Sequence, residues 1–388
     1  MNDETNARTA LLQSSADYAT RVFTTILTHS PISRTEVARL TGLTQGAVTK
    51  AVAPLVAAGL VDDTLSSQRH GLPGRPVAPV AVVPDAIVAI GVKVNADELI
   101  GVASDMTTRV LATERTPLTS HDPAHVIDEI VAMYRRLETE LGGLGPRLAC
   151  IGIAVSGDVD SASGMVRESA LMGWVGIDLG AQLASRVSPL VIVENDVRAL
   201  TIGEHWFGVG LGTSSFAIVT IGRGIGSGLH INGEVVEGAY GVAGEIGHLP
   251  LASPDRICKC GRRGCVEAVA ATDSILDAIS AAHERPIGIE RAVELARAGD
   301  TAATTAFSQA GAAIGAAIAS LVNMVGPEVV IIGGEGVTNF DLFSVALYET
   351  YEAHVFGSAD RARIVVRPHT FEDWARGAAA SAIRALIV

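Results

Sequence analysis

Cysteine is scarce in this chain and sits almost entirely in one place. Of four cysteines in 388 residues, three fall in the segment CKCGRRGC at 258–265, and only Cys150 stands apart. That distribution does not look like a disulfide framework, which small secreted domains spread along their length. The first residues lack the basic-then-apolar pattern of a secretory signal and carry Asp3 and Glu4 instead. Long hydrophobic runs are also missing: the longest, GAAIGAAIASLVNMV, stops at Gly326-Pro327 and is too short to span a bilayer. A cytoplasmic chain with no membrane partner is the expectation. Positive charge is the other shortage, with a net charge of -13. Residues 1–80 hold seven Lys/Arg against six Asp/Glu, while the remainder holds 22 against 36. The acidic bulk would repel nucleic acid, so any such contact belongs near the N-terminus and depends on salt.

What is present points to packed α/β structure. Apolar residues make up 48% and the 41 glycines look like turns, so the chain is not disordered, and its length suggests two or three packed units. From Ala19 to Thr28 apolar residues recur at helical spacing. Ser33 then precedes RTEVARLTG, a second helix with Glu36 placed for a capping box and Gly42 at its end. Thr44 can cap a third helix, in which Val48, Val52, Leu55 and Val56 form the buried face. Two short helices joined by a glycine turn predict a helix-turn-helix. Gln45, Thr49 and Lys50 are then the exposed candidates for base or phosphate contacts at the DNA major groove, with Arg34 and Arg39 placed for the phosphate backbone. The following segment VDDTLSSQRHGLPGRPVAPVAV fits the two strands and loop of a wing, with Arg75 of PGRP placed for a minor groove. A dimerisation or protein-interaction module of three helices is the competing reading.

Beyond residue 83 the pattern becomes alternating strands and helices. AIVAIGVKVNADELIGVASDM reads as strand-turn-strand, RLACIGIAVSGDVD and PLVIVENDVRAL as buried strands, and SSFAIVTIGRGIGSGLHINGEVV repeats the opening motif in the second half. VVIIGGEGV is another buried strand and FEDWARGAAASAIRALI a closing helix. Two related α/β halves with a cleft between them are the simplest organisation.

Cys258, Cys260 and Cys265 form a C-x-C-x4-C pattern, with His248 ten residues upstream. Cys3His is a common ligand set for structural zinc, and Gly261 and Gly264 allow the backbone to turn tightly around an ion. Buried thiols or a redox pair remain the alternatives. Three thiols in a polar, glycine-rich loop are poor core material, which favours Zn2+.

At this point the chain resembles the ROK family of repressors and sugar kinases. The ordered series VEND, GRGIGSG, AGEIGH, CKCGRRGCVEA and VNMVGPEVVIIGGEGV carries the resemblance, with GRP in the wing. It implies an N-terminal winged helix-turn-helix at 1–82, followed at 83–388 by a two-lobed actin-like, ribonuclease-H-like domain. The lobes would run from about 83 to 200 plus the C-terminal helix, and from about 201 to 370. It implies zinc ligands at His248, Cys258, Cys260 and Cys265, and sugar contacts at Asn195, Asp196, Glu245, His248 and Glu267. Trp174 and its neighbours are candidates for telling one sugar from another.

In the family's kinases, the residue matching Asp196 is the general base toward the γ-phosphate. The first phosphate loop of those kinases reads like D-x-G-G-T, whereas this chain has GVKVNADEL, with Lys93 at the aspartate position and Asn95 where the glycines begin. In GRGIGSG, Arg223 replaces a threonine. The resemblance therefore implies a sugar-responsive transcriptional regulator without catalysis, its Asp196 a vestigial base. Its partners would be operator DNA, a sugar effector and further copies of itself, as homodimer or homotetramer. It would lie in the cytoplasm and with the nucleoid when DNA-bound. An ATP-dependent, glucokinase-like sugar kinase with an added DNA-binding domain is the alternative.

Overall fold

The computed structural model describes residues 2–65 and 79–388. Two compact units emerge, Met1–Leu211 with Glu372–Val388, and Gly212–Phe371.

The first unit opens with α1 (Asp3–Gln13), α2 (Asp17–His29), β1 (Ile32–Ser33), α3 (Arg34–Thr41), α4 (Gln45–Ala57), β2 (Val61–Asp62) and β3 (Pro79–Val82). The expected caps form: Ser33 Oγ accepts from Glu36 N at 3.1 Å, Gly42 takes φ 68°, and Thr44 Oγ1 accepts from Ala47 N at 3.2 Å. The capping box is only half made, because the Glu36 carboxylate turns to the Arg39 guanidinium. Val48, Val52 and Leu55 are buried as expected, and Val56 is only half-buried. The three strands form a sheet in the order β1-β3-β2, which is the frame of a winged helix. Arg75 and the rest of the expected wing loop lie outside the described residues.

Helix α1 has no strong apolar stripe, which is why periodicity does not reveal it. Polar contacts hold it instead. Asn2 caps it through Thr5 N at 2.8 Å, and the buried Arg8 donates to Ala58 O at 2.9 Å and Ala86 O at 3.0 Å. Arg8 thereby ties the end of α4 to the entrance of the next sheet. Apolar residues continue the junction: Val22, Phe23, Val48 and Leu55 share one cluster with Ile87, Cys150, Trp206 and Ile383.

That sheet comes from β4 (Val88–Val94), β5 (Glu98–Asp105), β6 (Val110–Pro117), α5 (Pro123–Glu140), β7 (Leu148–Val155), β8 (Asp158–Asp160), β9 (Met165–Ser169), β10 (Trp174–Asp178), α6 (Leu179–Ala184), β11 (Leu190–Asn195) and α7 (Asp196–Phe207). Its strand order is β11-β7-β4-β5-β6, with β8, β9 and β10 forming a small sheet of their own. The second unit contains β12 (Phe216–Ile221), β13 (Ile225–Ile231), β14 (Glu234–Val235), α8 (Glu267–Ala270), α9 (Thr272–His283), α10 (Ile289–Arg297), α11 (Thr301–Val325), β15 (Val329–Gly333), α12 (Ser344–His354) and β16 (Arg363–Val366), in the order β14-β13-β12-β15-β16. Both five-stranded sheets follow one plan. Three antiparallel strands come first, and two parallel strands are added beside the first of them.

Helix α11 is longer than its apolar core stretch suggests, and its length and composition would allow it to cross a membrane. Of its most apolar window, 67% is buried within the protein, as in the core helix of a folded domain.

Helix α13 (Phe371–Ile387) closes the first unit by lying unusually near its sheet. A Cβ on Gly91 or Gly152 would overlap the carbonyl oxygens of Ala375 or Ala378. Backbone atoms cannot swing aside as a side-chain tip can. We therefore expect Gly152→Ala to destabilise the fold by about 1–3 kcal/mol or more, read by urea unfolding. A change under about 0.5 kcal/mol, the scale of an ordinary surface substitution, would refute this packing.

Candidate functional site

The cysteine segment folds as a knuckle. Cys258 N donates to Arg262 O at 2.8 Å, Gly264 N to Arg256 O at 2.9 Å, and Ile257 pairs with Arg263 across the turn. Gly261 and Gly264 take φ of 83° and 74°, a region that strains any side chain. The result gathers one ligand atom each from His248, Cys258, Cys260 and Cys265 within 4.8 Å of one another. Cys260 Sγ lies 3.8 Å from Cys265 Sγ, and Cys258 Sγ lies 3.9 Å from His248 Nδ1. Tetrahedral zinc with bonds of about 2.3 Å would place sulfur atoms about 3.8 Å apart, so the donor set fits the ion.

The thiols do not share one environment. Burial pushes the Cys258 thiol up to about 12. Burial also acts on Cys260, but donation from the Arg262 backbone and the neighbouring thiols outweighs it and draws that thiol down to about 7. Burial and then Cys260 raise Cys265. A cation is the means by which such a cluster can carry several thiolates together. Lys259, between the first two cysteines, pairs with Asp273 at 2.7 Å.

His248 has its Nδ1 on the thiol side and its Nε2 3.9 Å from Glu245 Oε2. Glu267, the first residue of α8, accepts from Ile225 N at 3.1 Å and has its other oxygen 3.9 Å from Cys258 Sγ. Thus three of the predicted sugar contacts, Glu245, His248 and Glu267, gather around the knuckle in the second unit.

The other two, Asn195 and Asp196, stand at the start of α7 in the first unit. Asn195 is its N-cap: Oδ1 accepts from Arg198 N at 3.1 Å and Nδ2 donates to Gly157 O at 2.9 Å. Behind it, the buried pair Glu194–Arg198 at 2.6 Å binds Ser161 and the Val159 carbonyl, fixing the strand end. Asp196 is engaged twice, by its neighbour Val197 N at 2.9 Å and by Lys93 Nζ at 2.5 Å. The Lys93 and Asp196 side chains are only 4% and 12% exposed, and the ammonium also lies 5.5 Å from the Trp374 ring centre. Lys93 is visible in sequence only as the wrong residue for a phosphate loop; its pairing with Asp196 was missed. Trp174 is not available to a ligand: it is 2% exposed and donates its indole N–H to His121 O at 2.6 Å. Burial of a large ring with one satisfied polar edge is a core role.

On the helix-turn-helix, Gln45, Thr49 and Lys50 are exposed on the first turns of α4. Arg34 is half-buried and paired with Asp63 at 2.8 Å, and Arg39 with Glu36, so both expected backbone contacts already hold carboxylates.

Comparison with known proteins bears on this arrangement. The ROK family profile matches residues 89–385. The chain belongs to the ROK family. The xylose repressor of Bacillus subtilis (strain 168) is 27% identical over 307 residues, which cover 79% of each chain. A solved ROK family transcriptional regulator, a homologue of the E. coli Mlc protein, superposes with a TM-score of 0.80 over 95% of each chain at 23% identity, which shows a shared fold. The ROK hexokinase of Thermus thermophilus matches at 27% identity and a TM-score of 0.67, covering 77% of this chain and 99% of its own. Repressors and kinases of the ROK family thus share one scaffold.

Proposed function

We propose that this ROK protein is a sugar-responsive transcriptional repressor of carbohydrate metabolism and that it has no kinase activity. The Lys93–Asp196 ion pair carries the choice. A general base must offer a free carboxylate oxygen to the attacking hydroxyl and leave room for a magnesium-bound polyphosphate. Here one oxygen already holds a buried ammonium, so a fixed positive charge stands beside the carboxylate. Sugar binding needs neither. Hydroxyls that both donate and accept suit Asn195, Asp196, Glu245, His248 and Glu267.

In this reading residues 1–82 form the DNA-binding head and residues 83–388 the ROK sensor. Zn2+ is held by His248, Cys258, Cys260 and Cys265 in a closed structural site, with the second nitrogen of His248 left for the sugar. Gln45, Thr49 and Lys50 meet operator DNA, with Arg75 entering the minor groove and Arg34 steadying the head through Asp63. A helix-turn-helix reads paired half-sites, so the active form is a homodimer or homotetramer in the cytoplasm, associated with the nucleoid on its operator. The sugar acts by binding one arrangement of the heads more tightly than the other.

The test is operator binding by the full chain, measured on DNA upstream of its own gene against a panel of monosaccharides, sugar phosphates and disaccharides. One sugar should change the operator affinity at least about tenfold, ~1.4 kcal/mol. ATP-dependent phosphorylation of any sugar, abolished by Asp196→Asn, would instead establish the kinase reading. That alternative draws support from the near-complete match to the Thermus thermophilus hexokinase. In the same assay Lys50→Ala should weaken binding to all sequences alike and reduce the salt slope by about 1. Unchanged affinity and slope would remove α4 from the interface.

A further inference from the structure

The loop between β12 and β13 has the makings of an anion site. Its glycines let the backbone turn sharply, with Gly222 N donating to Gly224 O at 3.1 Å, and successive N–H groups in such a turn form a concavity suited to phosphate oxygens. In this protein those donors already hold carboxylates from the same unit. Arg223 N donates to Glu335 Oε1 at 2.8 Å, and Ile225 N to Glu267 Oε2 at 3.1 Å. Glu335 comes from the segment after β15, where Gly334, at φ 94°, lies against the backbone of Ile221. The Glu335 carboxylate sits so close over Gly222 that a Cβ there would overlap it.

We propose that Glu335 is a built-in anion that occupies a phosphate subsite of this loop and excludes nucleotides and other oligophosphates from it. A phosphate oxygen needs the Arg223 N–H that Glu335 holds. Displacing Glu335 would leave its negative charge beside a polyanion, so the incoming ligand loses both ways. The proposal deepens the non-kinase reading and rests on it. It differs in its cause: Lys93 disables the base, whereas Glu335 denies the phosphate chain its hydrogen bonds. Arginine at 223 could by itself have held an anion. Glu335 instead takes the Arg223 backbone N–H from within the protein.

The experiment uses the full-length chain with tripolyphosphate and Mg-ADP as probes in titration calorimetry. Glu335→Gly removes the carboxylate; Glu335→Gln keeps the size and an acceptor oxygen but not the charge. Glu335→Gly should bind tripolyphosphate at least about tenfold more tightly than the parent chain, with Glu335→Gln between them. Hydrogen exchange of the peptide containing Arg223 should quicken in the glycine variant, because its amide loses its acceptor. If the glycine variant fails to fold, the glutamine variant decides by its own, smaller gain over the parent chain. Parental affinity in the folded variants overturns the proposal, as does a parent chain that binds tripolyphosphate as tightly as they do. The regulator reading fails on a different observation, sugar phosphorylation by the parent chain.

Discussion

Lys93→Met lowers the stability of the folded chain by about 3–5 kcal/mol, the usual cost of stripping one partner from a buried ion pair. The argument runs through the carboxylate that remains. Asp196 has a side chain only 12% exposed, and without Lys93 only the N–H of Val197 is left facing its charge among its described partners. The pair as a whole need not be strongly stabilising, since each ion gives up its water to enter the protein. The double variant Lys93→Met/Asp196→Asn should therefore recover most of the loss, giving a large coupling in a double-mutant cycle. Urea unfolding with an unchanged m-value reads both results. A single-variant loss below about 1 kcal/mol, the scale of an exposed salt bridge, would show that the pair is not the desolvated contact described above.

Cys260→Ser should yield a protein that no longer retains zinc and binds its sugar at least about tenfold more weakly. Cys260 is the informative position because it is exposed, while Cys258 and Cys265 are 3% and 1% exposed. Serine there costs little packing, so what it removes is a ligand. Structural zinc sites of this kind contribute about 10–16 kcal/mol of binding free energy that is also folding free energy. Its loss should loosen the knuckle and, through His248 and Glu267, the carboxylates beside it. The N-terminal helices should keep their structure, since their apolar cluster lies wholly in the first unit. Metal content by mass spectrometry and sugar affinity by calorimetry check the two halves. Verified zinc loss with parental sugar affinity would sever the link between knuckle and ligand.

The helix-turn-helix was legible because its signals are local: Ser33, Gly42 and Thr44 act on backbone groups within a few residues of themselves. The metal cluster was legible for a related reason, since its ligands span only residues 248–265 and cysteine is rare elsewhere. Reading failed where a side chain had two plausible partners. Glu36 was free to complete a capping box or to pair with Arg39, and Arg34 to meet a phosphate or Asp63; the folded chain pairs both with charges. Helix α1 escaped notice because its position depends on Arg8 reaching carbonyls 50 and 78 residues away. Trp174 looked like a ligand contact because a lone tryptophan among glycines and apolar residues does not reveal which way its ring packs.

Sequence alone determined that this chain has a glycine-turned helix pair at its N-terminus, two related α/β halves, and a Cys3His cluster in the second of them. The resemblance to the ROK family further implied that Lys93 stands at the aspartate position of a kinase's first phosphate loop. Those features depend on residue type at short spacing, where backbone geometry leaves few choices. Tertiary structure alone decided which distant residues these segments meet. Lys93 and Asp196 are 103 residues apart, and Arg223 and Glu335 are 112 apart. Each pair meets only because strands distant in sequence become neighbours or near neighbours in a sheet, and the buried Lys93 ammonium must take whatever partner the fold places beside it.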